Sequence, residues 1–437
     1  MKKNVFSSFD GGSQAVGYVS FPDRYRYWPD LDSKIIRISA GSGLSNAPAS
    51  FKSNMLSISH AKFNRILSFD EKKCEIEVEA GSTLFDIFGI LAQKGYYLKI
   101  QPGYSFVSIG GCIAANVHGK NQAEDGCFKE QVVSLKLFHP QHGIIKASPK
   151  TNKDVFDLTC GGYGLTGHIL SAKLKIKKKN FSAISSSVVQ FNSFHDGVNK
   201  LRNEARNCDF IYTWFDFAFN SKGFGNGLLY KSHFDKNREG SHFNTTKKSN
   251  KKISFTPFNL YNKHTINFLN KSYKLKEIYL HKTHQTFFET LFPLQKTMTY
   301  YSLFGPSGFC EYQVIIPHSS IGEFFNELRS YIIKNEIIIT LASSKLFSGA
   351  PQYLYFQKDG ISLALNFPRN SKSYNFLNFL DELTMKYMCI PNIIKDSRLE
   401  FKVVKYCYEN FESFRNNLKV FDPQRLFRSV MSDRLFL

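Results

Sequence analysis

A short segment of small residues, Ala40–Ala47, constrains the fold of this chain more than any other feature of its sequence. It follows the strand-like run Lys34–Ser39, and its small side chains leave a row of consecutive backbone N–H groups facing outward. A concave row of this kind suits an anion such as a pyrophosphate. The segment therefore predicts a phosphate-binding turn at the end of a strand.

A second segment of the same character lies between Gln101 and Lys120. Its glycine pair, Gly110-Gly111, lets the backbone approach a ligand closely. The small residues that follow the pair would lie flat against a planar cofactor. Taken together, the two segments predict two loops that hold one dinucleotide.

A third motif, Gly162–Gly167, matches G-x-G-x-x-G, which suggests a Rossmann site. That site requires a strand before the motif and a helix after it. Here the helix-like run Asp154–Cys160 precedes the motif, and His168–Ile176 alternates like a strand. The reversed order argues against a Rossmann site.

The remaining pattern predicts an α+β protein. In the first 180 residues it predicts strands, the short helix Asp154–Cys160 and a helix that is capped by Ser82 or Thr83 and ends at Gly95. The predicted strands there are Met55–Ser59, Glu75–Glu79 and the hairpin Val132–Phe138 with Gly143–Lys146. Between 182 and 390, predicted strands alternate with predicted helices around an antiparallel sheet: strands Phe210–Phe217, Glu311–Ile316 and Gly360–Phe367, and helices Ile321–Ile333 and Tyr374–Met388.

The net charge of +21 over 437 residues indicates an anionic partner, which is a nucleic acid, an anionic membrane or a phosphorylated ligand. Residues 231–282 alone carry twelve Lys and Arg against three Asp and Glu, a net charge of +9, together with several aromatic and aliphatic residues. One interpretation is a mobile surface excursion with a few anchoring rings. The other is a flap that meets an anionic lipid or membrane surface.

Several classes of protein are excluded at this stage. No apolar run reaches the roughly 18–20 residues that a membrane span needs, and the first residues lack the apolar stretch of a secretory signal. The eight cysteines are scattered without a CxxC pair or zinc spacing, so we expect no metal site and a reduced, cytoplasmic protein.

Two polar positions are candidates for chemistry. His118 comes directly after the second small-residue segment, where it is either a structural histidine or a contact to the cofactor. Lys395 follows the apolar pair Ile393-Ile394, and at the end of a buried strand it would have a lowered pKa and serve as a base. The alternative for Lys395 is a surface turn in which Asp396 and Arg398 pair.

Three motifs together resemble one family. They are V-x-I-G-G-x-I-A-x-x-x-H-G-K-N at 107–121, G-G-x-G-L-T-G at 161–167 and K-D-S-R at 395–398. In this combination the chain resembles, nearly end to end, the flavin-dependent oxidoreductases of the vanillyl-alcohol-oxidase superfamily with a PCMH-type FAD domain. Within that superfamily it is most similar to the oxidase subunits of decaprenylphosphoryl-ribose 2′-epimerases.

The resemblance implies a two-part FAD-binding domain, made of residues 1–181 and 391–437, with an inserted α+β substrate or cap domain at 182–390 that contains the basic flap. It implies FAD held without a covalent bond, although His118 resembles the histidine that carries the flavin in some relatives. Ile169 would meet the adenine end through its backbone. The residues implied to hold FAD are Ala40, Gly41, Ser42, Gly43, Leu44, Ser45, Asn46, Gly103, Ser108, Ile109, Gly110, Gly111, Ala115, Asn116, Val117, His118 and Ile169.

The reaction that the resemblance implies is oxidation of a secondary hydroxyl on a sugar or a polyprenyl-phosphate-linked sugar, with hydride transfer to flavin N5. Lys395 matches the active-site lysine, and the positions implied to face the substrate are Gln313, Lys345, Glu311 and Asn392. The substrate side departs from the subfamily: Ala364 stands for a cysteine, Asn46 and Asn392 for tyrosines, and Glu311 for a glutamine.

The substrate is either a lipid-linked sugar or a soluble aldonolactone or alditol. If the product is returned to an alcohol, a short-chain reductase partner would complete an epimerisation. Peripheral contact with the inner membrane would account for the charge. A nucleic-acid-binding protein without enzyme activity would also account for it, but no binding motif appears, so we expect no nucleic acid partner.

Overall fold

The computed structural model describes residues 2–22, 36–180, 183–236, 256–293 and 298–437. The strands are β1 Lys2–Ser7, β2 Gln14–Ser20, β3 Arg37–Ala40, β4 Leu56–Ser59, β5 Ile66–Asp70, β6 Glu75–Glu79, β7 Tyr96–Tyr97, β8 Val132–His139, β9 Gly143–Ala147, β10 His168–Lys175, β11 Lys177–Lys178, β12 Ala183–Phe191, β13 Phe210–Phe215, β14 Gly227–Asp235, β15 His284–Gln285, β16 Phe309–Ile316, β17 Leu341–Phe347, β18 Gly360–Pro368 and β19 Ile390–Pro391. The helices are α1 Leu84–Gln93, α2 Ile109–Ala114, α3 Gln122–Asp125, α4 Lys153–Thr159, α5 Phe194–Glu204, α6 Ile266–Leu280, α7 Phe287–Leu291, α8 Met298–Ser302, α9 Ile321–Lys334, α10 Ser371–Lys386, α11 Phe401–Cys407, α12 Phe411–Phe421 and α13 Val430–Arg434.

The first phosphate-binding candidate emerges from a four-stranded sheet ordered β1-β2-β4-β3. Strand β4 lies between β2 and β3 and runs parallel to both. The connections from β2 to β3 and from β3 to β4 are therefore crossovers and not hairpins. The segment that we predicted to follow a strand does leave the end of β3. The first two residues of the predicted strand, 34 and 35, lie outside the described residues.

A five-stranded antiparallel sheet, β5-β6-β10-β8-β9, packs one face on α1 and α2. The predicted hairpin is confirmed as β8 and β9. Helix α1 begins where the sequence indicated, because Thr83 and Asp86 form a reciprocal capping box. The order around the third glycine motif is also confirmed, since α4 precedes it and β10 follows it.

The second glycine-rich segment differs from our expectation, because its centre is a helix and not a loop. Ser108 caps α2 by accepting a hydrogen bond from the Gly111 N–H at 3.2 Å, which offsets the poor helix propensity of two glycines. The Gly110 N–H donates to the carbonyl of Ala80 at 2.7 Å. A Cβ on Gly110 would lie 3.2 Å from that residue, so the glycine permits α2 to press against the strand end.

The largest sheet has eight strands in the order β15-β12-β14-β13-β17-β18-β16-β19, and its neighbouring strands all pair antiparallel. Helices α5, α9 and α10 cover one face with an aromatic-rich core. The predicted strands and helices of this region are confirmed within a few residues, and so is the α+β class. The register places Gln313 on β16 opposite Ala364 on β18.

The end of the chain returns to the first sheet. The Arg37 N–H donates to the Leu426 carbonyl at 2.8 Å, and the Arg428 N–H donates to the Arg37 carbonyl at 3.2 Å. Nearer the glycine loop, the Ala47 N–H donates to the Ile394 carbonyl at 3.1 Å. The tail therefore fixes both β3 and the loop that follows it. The division into 1–181, 182–390 and 391–437 stays a prediction, and 181–182 lie outside the described residues.

The ends of the predicted basic flap are regular structure. Residues 231–235 belong to β14, and α6 occupies most of the second half. Residues 237–255 of the flap lie outside the described residues. No described helix has the length and the apolar character to cross a membrane.

Candidate active site

A long cavity runs between the loop after β3, helix α2, the start of β10 and the turn at 393–395. Many residues that we predicted from the sequence line it. They are Gly41, Ser42, Gly43, Leu44, Ser45, Gly103, Ser108, Gly110, Gly111, Ala115, Val117, Ile169 and Lys395. The structure thus brings the two glycine-rich segments to one cavity, as their pattern indicated.

The loop at 41–46 offers the cavity an unusual set of donors. Within the described residues, none of its six consecutive backbone N–H groups donates a hydrogen bond to the protein. Gly43 adopts a φ of +67°, and Gly41 packs so closely on Ser108 that a Cβ would lie 2.5 Å from its Oγ. A row of backbone N–H groups without protein partners suits phosphate oxygens. The loop therefore fits the diphosphate of FAD.

Some predicted cofactor residues do not line the cavity. Ala40 ends β3, and Ile109, the first residue of α2, is fully buried in the core. Asn116 accepts a hydrogen bond from the Lys129 N–H through Oδ1 at 2.9 Å, which is a structural contact within the protein. His118 and Asn46 lie against residues of the eight-stranded sheet. Their roles toward FAD stay predictions.

The Glu311 carboxylate contacts two other residues at the end of the cavity that faces the large sheet. Glu311 on β16 lies 3.3 Å from Lys395, measured from Oε1 to Nζ. Its Oε2 accepts a hydrogen bond from Asn46 Nδ2 at 2.8 Å. The same amide nitrogen donates to the Lys395 carbonyl at 3.1 Å. Two of the positions that depart from the subfamily, 46 and 311, therefore contact each other and the candidate catalytic lysine.

The position of Lys395 differs from the sequence prediction. It lies in the 3₁₀ turn Ile393–Lys395 and not at a strand end, and its side chain is about two-fifths exposed. The surface-turn alternative is also incomplete, because this residue lines the cavity. Asp396 and Arg398 do pair, at 3.4 Å, as the surface-turn alternative expected.

A second polar chain links the cavity wall to the sheet. Asn392 Nδ2 donates to Gln313 Oε1 at 2.8 Å, and Gln313 Nε2 lies 3.5 Å from His118 Nε2. His118 Nδ1 lies 3.2 Å from the Gly119 carbonyl, which only accepts, so Nδ1 carries the proton. Burial, with Lys345 and Lys395 nearby, lowers the pKa of His118 well below its ordinary value. Its Nε2 is therefore a neutral acceptor at pH 7.

Two partly buried lysines, Lys120 and Lys345, lie beside this chain. Burial and the nearby Lys395 lower the pKa of Lys345 to about 8, although Glu311 opposes the shift. Burial and Lys345 lower the pKa of Lys120 to about 7. Lys120 Nζ donates to the carbonyl of Thr290. Such cations are costly to bury without an anion, so they mark a place where an anionic or oxygen-rich ligand is stabilised.

Sequence reasoning did not name several other residues that line the cavity. Phe9, His60, Tyr104 and Tyr301 also line the cavity. Consecutive members of this set are at least 44 residues apart along the chain, so no single short segment connects them.

Comparison with known proteins supports an FAD site in this cavity. Residues 23–148 match the family described as FAD binding domain. The chain is 26% identical over 421 residues to decaprenylphosphoryl-beta-D-ribose oxidase of Mycolicibacterium smegmatis, an alignment that covers 92% of this chain and 89% of that protein.

Two further relatives match only in part. L-gulonolactone oxidase of Mus musculus is 26% identical over 40% of this chain and 38% of its own length. The mitochondrial D-lactate dehydrogenase [cytochrome] 1 of Saccharomyces cerevisiae is 28% identical over 33% of this chain and 25% of its own length. The shared part of these enzymes is therefore much shorter than either chain. With the cavity and its glycine-rich walls, these similarities show that the chain contains a PCMH-type FAD-binding domain and is an FAD-linked oxidoreductase of the kind that acts on CH–OH groups.

Proposed function

We propose that this protein oxidises a secondary hydroxyl of a sugar, carried on a polyprenyl phosphate, to the ketone. The observation that supports this most is the meeting of Lys395 and Glu311 at the cavity, with two partly buried lysines close by. A base and an anion-binding group are thus available on the substrate side. The relative that covers nearly the whole chain is named as an oxidase of a decaprenylphosphoryl sugar.

The protein's own residues would move the proton and hold the substrate. FAD, when bound, accepts the hydride from the carbinol carbon. The Lys395 ammonium group would pass one proton to the paired Glu311 carboxylate and take the hydroxyl proton in its place, so that the alcohol loses one hydride and one proton. Lys345 binds a phosphate or sugar oxygen. Gln313 and Asn392 orient the sugar through the hydrogen-bonded chain that they form.

We propose that FAD is held without a covalent bond. His118 does not line the cavity among the described residues, and its two ring nitrogens already face Gly119 and Gln313. Acid precipitation of the purified protein should therefore release all of the yellow flavin into the supernatant. Flavin that stays with the pellet would contradict this proposal.

A soluble aldonolactone or alditol is the second candidate substrate. It is favoured by the partial similarity to L-gulonolactone oxidase and by Ala364, which faces Gln313 across β16 and β18 where the subfamily has a cysteine. Anaerobic bleaching of the bound flavin by a panel of sugars, polyols and polyprenyl-phospho-sugars separates the candidates. Reduction by the lipid-linked sugar alone supports the first. Reduction by small polyols in the absence of detergent supports the second.

Oxidation would be the first half of an epimerisation if a short-chain reductase partner returned the hydride from the other face of the ketone. Addition of such a reductase with its nicotinamide cofactor should then give the epimer of the starting sugar. A ketone that accumulates in the presence of the reductase would contradict the partnership.

Helix α6 is the described part of the chain that best suits contact with an anionic membrane at the cytoplasmic face. Phe268, Leu275 and Tyr279 recur along one face of the helix and are all exposed. Lys271 is exposed on the same face, and Lys276 is exposed beside it. Exposed rings and aliphatic groups with interspersed lysines are typical of helices that lie in a lipid interface.

A further inference from the structure

His60 is a buried histidine at the start of the phosphate-binding loop. It follows β4, and its side chain and backbone are only 4% exposed. Its backbone N–H donates to the Ala40 carbonyl at 3.0 Å, and its ring Nδ1 lies 3.2 Å from the same oxygen. The residue also lines the cavity. His60 is therefore fixed at the point where β3 ends and the row of N–H groups begins.

These contacts determine which ring nitrogen is an acceptor. A carbonyl oxygen only accepts, so Nδ1 of His60 carries the hydrogen. Burial lowers the pKa of this ring to about 4, which keeps it neutral at pH 7. Nε2 then presents a lone pair, and this buried atom has no hydrogen-bond partner within the described residues. Buried polar atoms normally have a partner, so a donor is expected here.

The two ends of the loop identify which half of the cofactor lies near His60. At the far end, Asn46 contacts Glu311 and the backbone of Lys395, which form the substrate side. The near end, at Ala40, contacts His60. A dinucleotide whose diphosphate lies along residues 41–46 with its flavin toward Lys395 has its adenosine half at the near end.

The walls around His60 are consistent with a flat base. The His168 ring lies 5.2 Å from the His60 ring, and the Phe63 ring lies 5.7 Å from it. Ile169, which the family resemblance places at the adenine end, lines the same cavity. Rings and the aliphatic side chain of Ile169 thus surround His60, and in ligand pockets a few placed polar groups determine orientation and specificity.

We propose that His60 Nε2 accepts a hydrogen bond from the adenosine half of FAD, donated by the adenine amino group or by a ribose hydroxyl. His60 thereby contributes to the affinity and the specificity for the cofactor. The proposal does not depend on the identity of the oxidised substrate.

The test measures flavin binding and not turnover. Apo-protein is titrated with FAD, and the dissociation constant is compared for the wild type, His60→Phe and His60→Gln. Because a buried donor loses its partner, His60→Phe should weaken FAD binding roughly 5- to 50-fold, whereas the acceptor oxygen of His60→Gln should restore a large part of it. Thermal unfolding of the apo-proteins reports separately whether the fold is kept.

Analogues of FAD identify the donor. One analogue has hypoxanthine in place of adenine, and two others lack the 2′ or the 3′ ribose hydroxyl of the adenosine. The analogue without the donor should bind the wild type more weakly than FAD does, and His60→Phe should weaken it no further. Equal FAD affinity in the wild type and His60→Phe would overturn the proposal. It would also be overturned if His60→Phe weakened the binding of FAD and of every analogue by the same factor. Wild-type protein that binds no FAD would contradict the assignment of FAD as the cofactor.

Discussion

Asn46 and Glu311, which are 265 residues apart in the sequence, are joined by a hydrogen bond of 2.8 Å from Nδ2 to Oε2. Asn46 belongs to the loop after β3, whereas Glu311 belongs to the eight-stranded sheet. The same carboxylate contacts the ammonium group of Lys395 at 3.3 Å. One acidic side chain therefore connects the cofactor loop, the large sheet and the returning tail at the edge of the cavity.

The charge of this carboxylate should matter for the chemical step. Glu311→Gln keeps the shape of the side chain but removes its capacity to receive a proton from Lys395. We expect FAD binding to be unchanged and the rate of flavin reduction by substrate to fall about 100-fold. Anaerobic stopped-flow absorbance measures both quantities. Glu323→Gln, an exposed position on α9, is the matched control, and equal rates in the two variants would exclude Glu311 from proton transfer.

Lys395 should be required for reduction but not for assembly. Lys395 lines the cavity, and its side chain is partly exposed. In Lys395→Met only the Glu311 carboxylate loses its ion-pair partner, so we expect the variant to fold. The variant should be purified yellow, with flavin reduction slowed by at least about 100-fold. Lys402→Met, an exposed lysine on α11, should reduce at the wild-type rate. Unchanged kinetics in Lys395→Met would remove this residue from the catalytic role.

Much of the site could be predicted because its parts are local. The Gly41–Ser45 loop, the Thr83 cap and the strand after Gly167 each depend on residues close in sequence. Glu311 and Gln313 were implied by the family resemblance and not by a local pattern; the structure has both on one face of β16, where they contact Lys395 and His118.

The rest depends on packing that no short segment encodes. The glycines at 110 and 111 favour a loop on propensity alone, and the Ser108 cap with its core contacts turns them into helix α2. The contact of Asn46 with Glu311 and the burial of Lys120 arise only when distant elements meet. The inward position of His60 likewise depends on the carbonyl of Ala40 on a neighbouring strand.

The partly buried lysines predict a pH dependence for anion binding. The pKa values of Lys120 and Lys345, lowered by burial to about 7 and 8, mean that both lose their charge as the pH rises through this range. The KM for a phosphate-bearing substrate should therefore increase between about pH 6.5 and pH 9, by at most roughly tenfold per unit for each lysine. Initial rates at constant ionic strength measure it.

The matched comparison is Lys345→Met, which should raise KM at pH 6.5 and flatten the upper part of the profile. A neutral sugar of the same ring structure should show no such increase in the wild type. A KM for the phosphorylated substrate that is constant over the whole range would show that these lysines do not bind its charge.

The close approach of Gly41 to Ser108 can be tested through stability. A Cβ at Gly41 would lie 2.5 Å from Ser108 Oγ, so Gly41→Ala must displace the hydroxyl that caps α2. We expect a loss of about 1 kcal/mol in the free energy of unfolding, which is the usual value of an N-cap. Ser108→Ala should cost a similar amount. The double variant should cost less than the sum, because the clashing oxygen is gone, and strict additivity in denaturant unfolding would contradict the contact.

The exposed face of α6 should carry the contact with anionic lipid. Tyr279 and Leu280 are 77% and 72% exposed, and replacing both with serine removes apolar area without disturbing the core. We expect the double variant to co-sediment with phosphatidylglycerol vesicles several-fold less than the wild type, and high salt to weaken wild-type binding because its lysines are screened. Val420→Ser on α12, which is 82% exposed, is the control and should bind as the wild type does. Equal sedimentation of all three proteins, with full flavin content, would place any membrane contact elsewhere on the molecule.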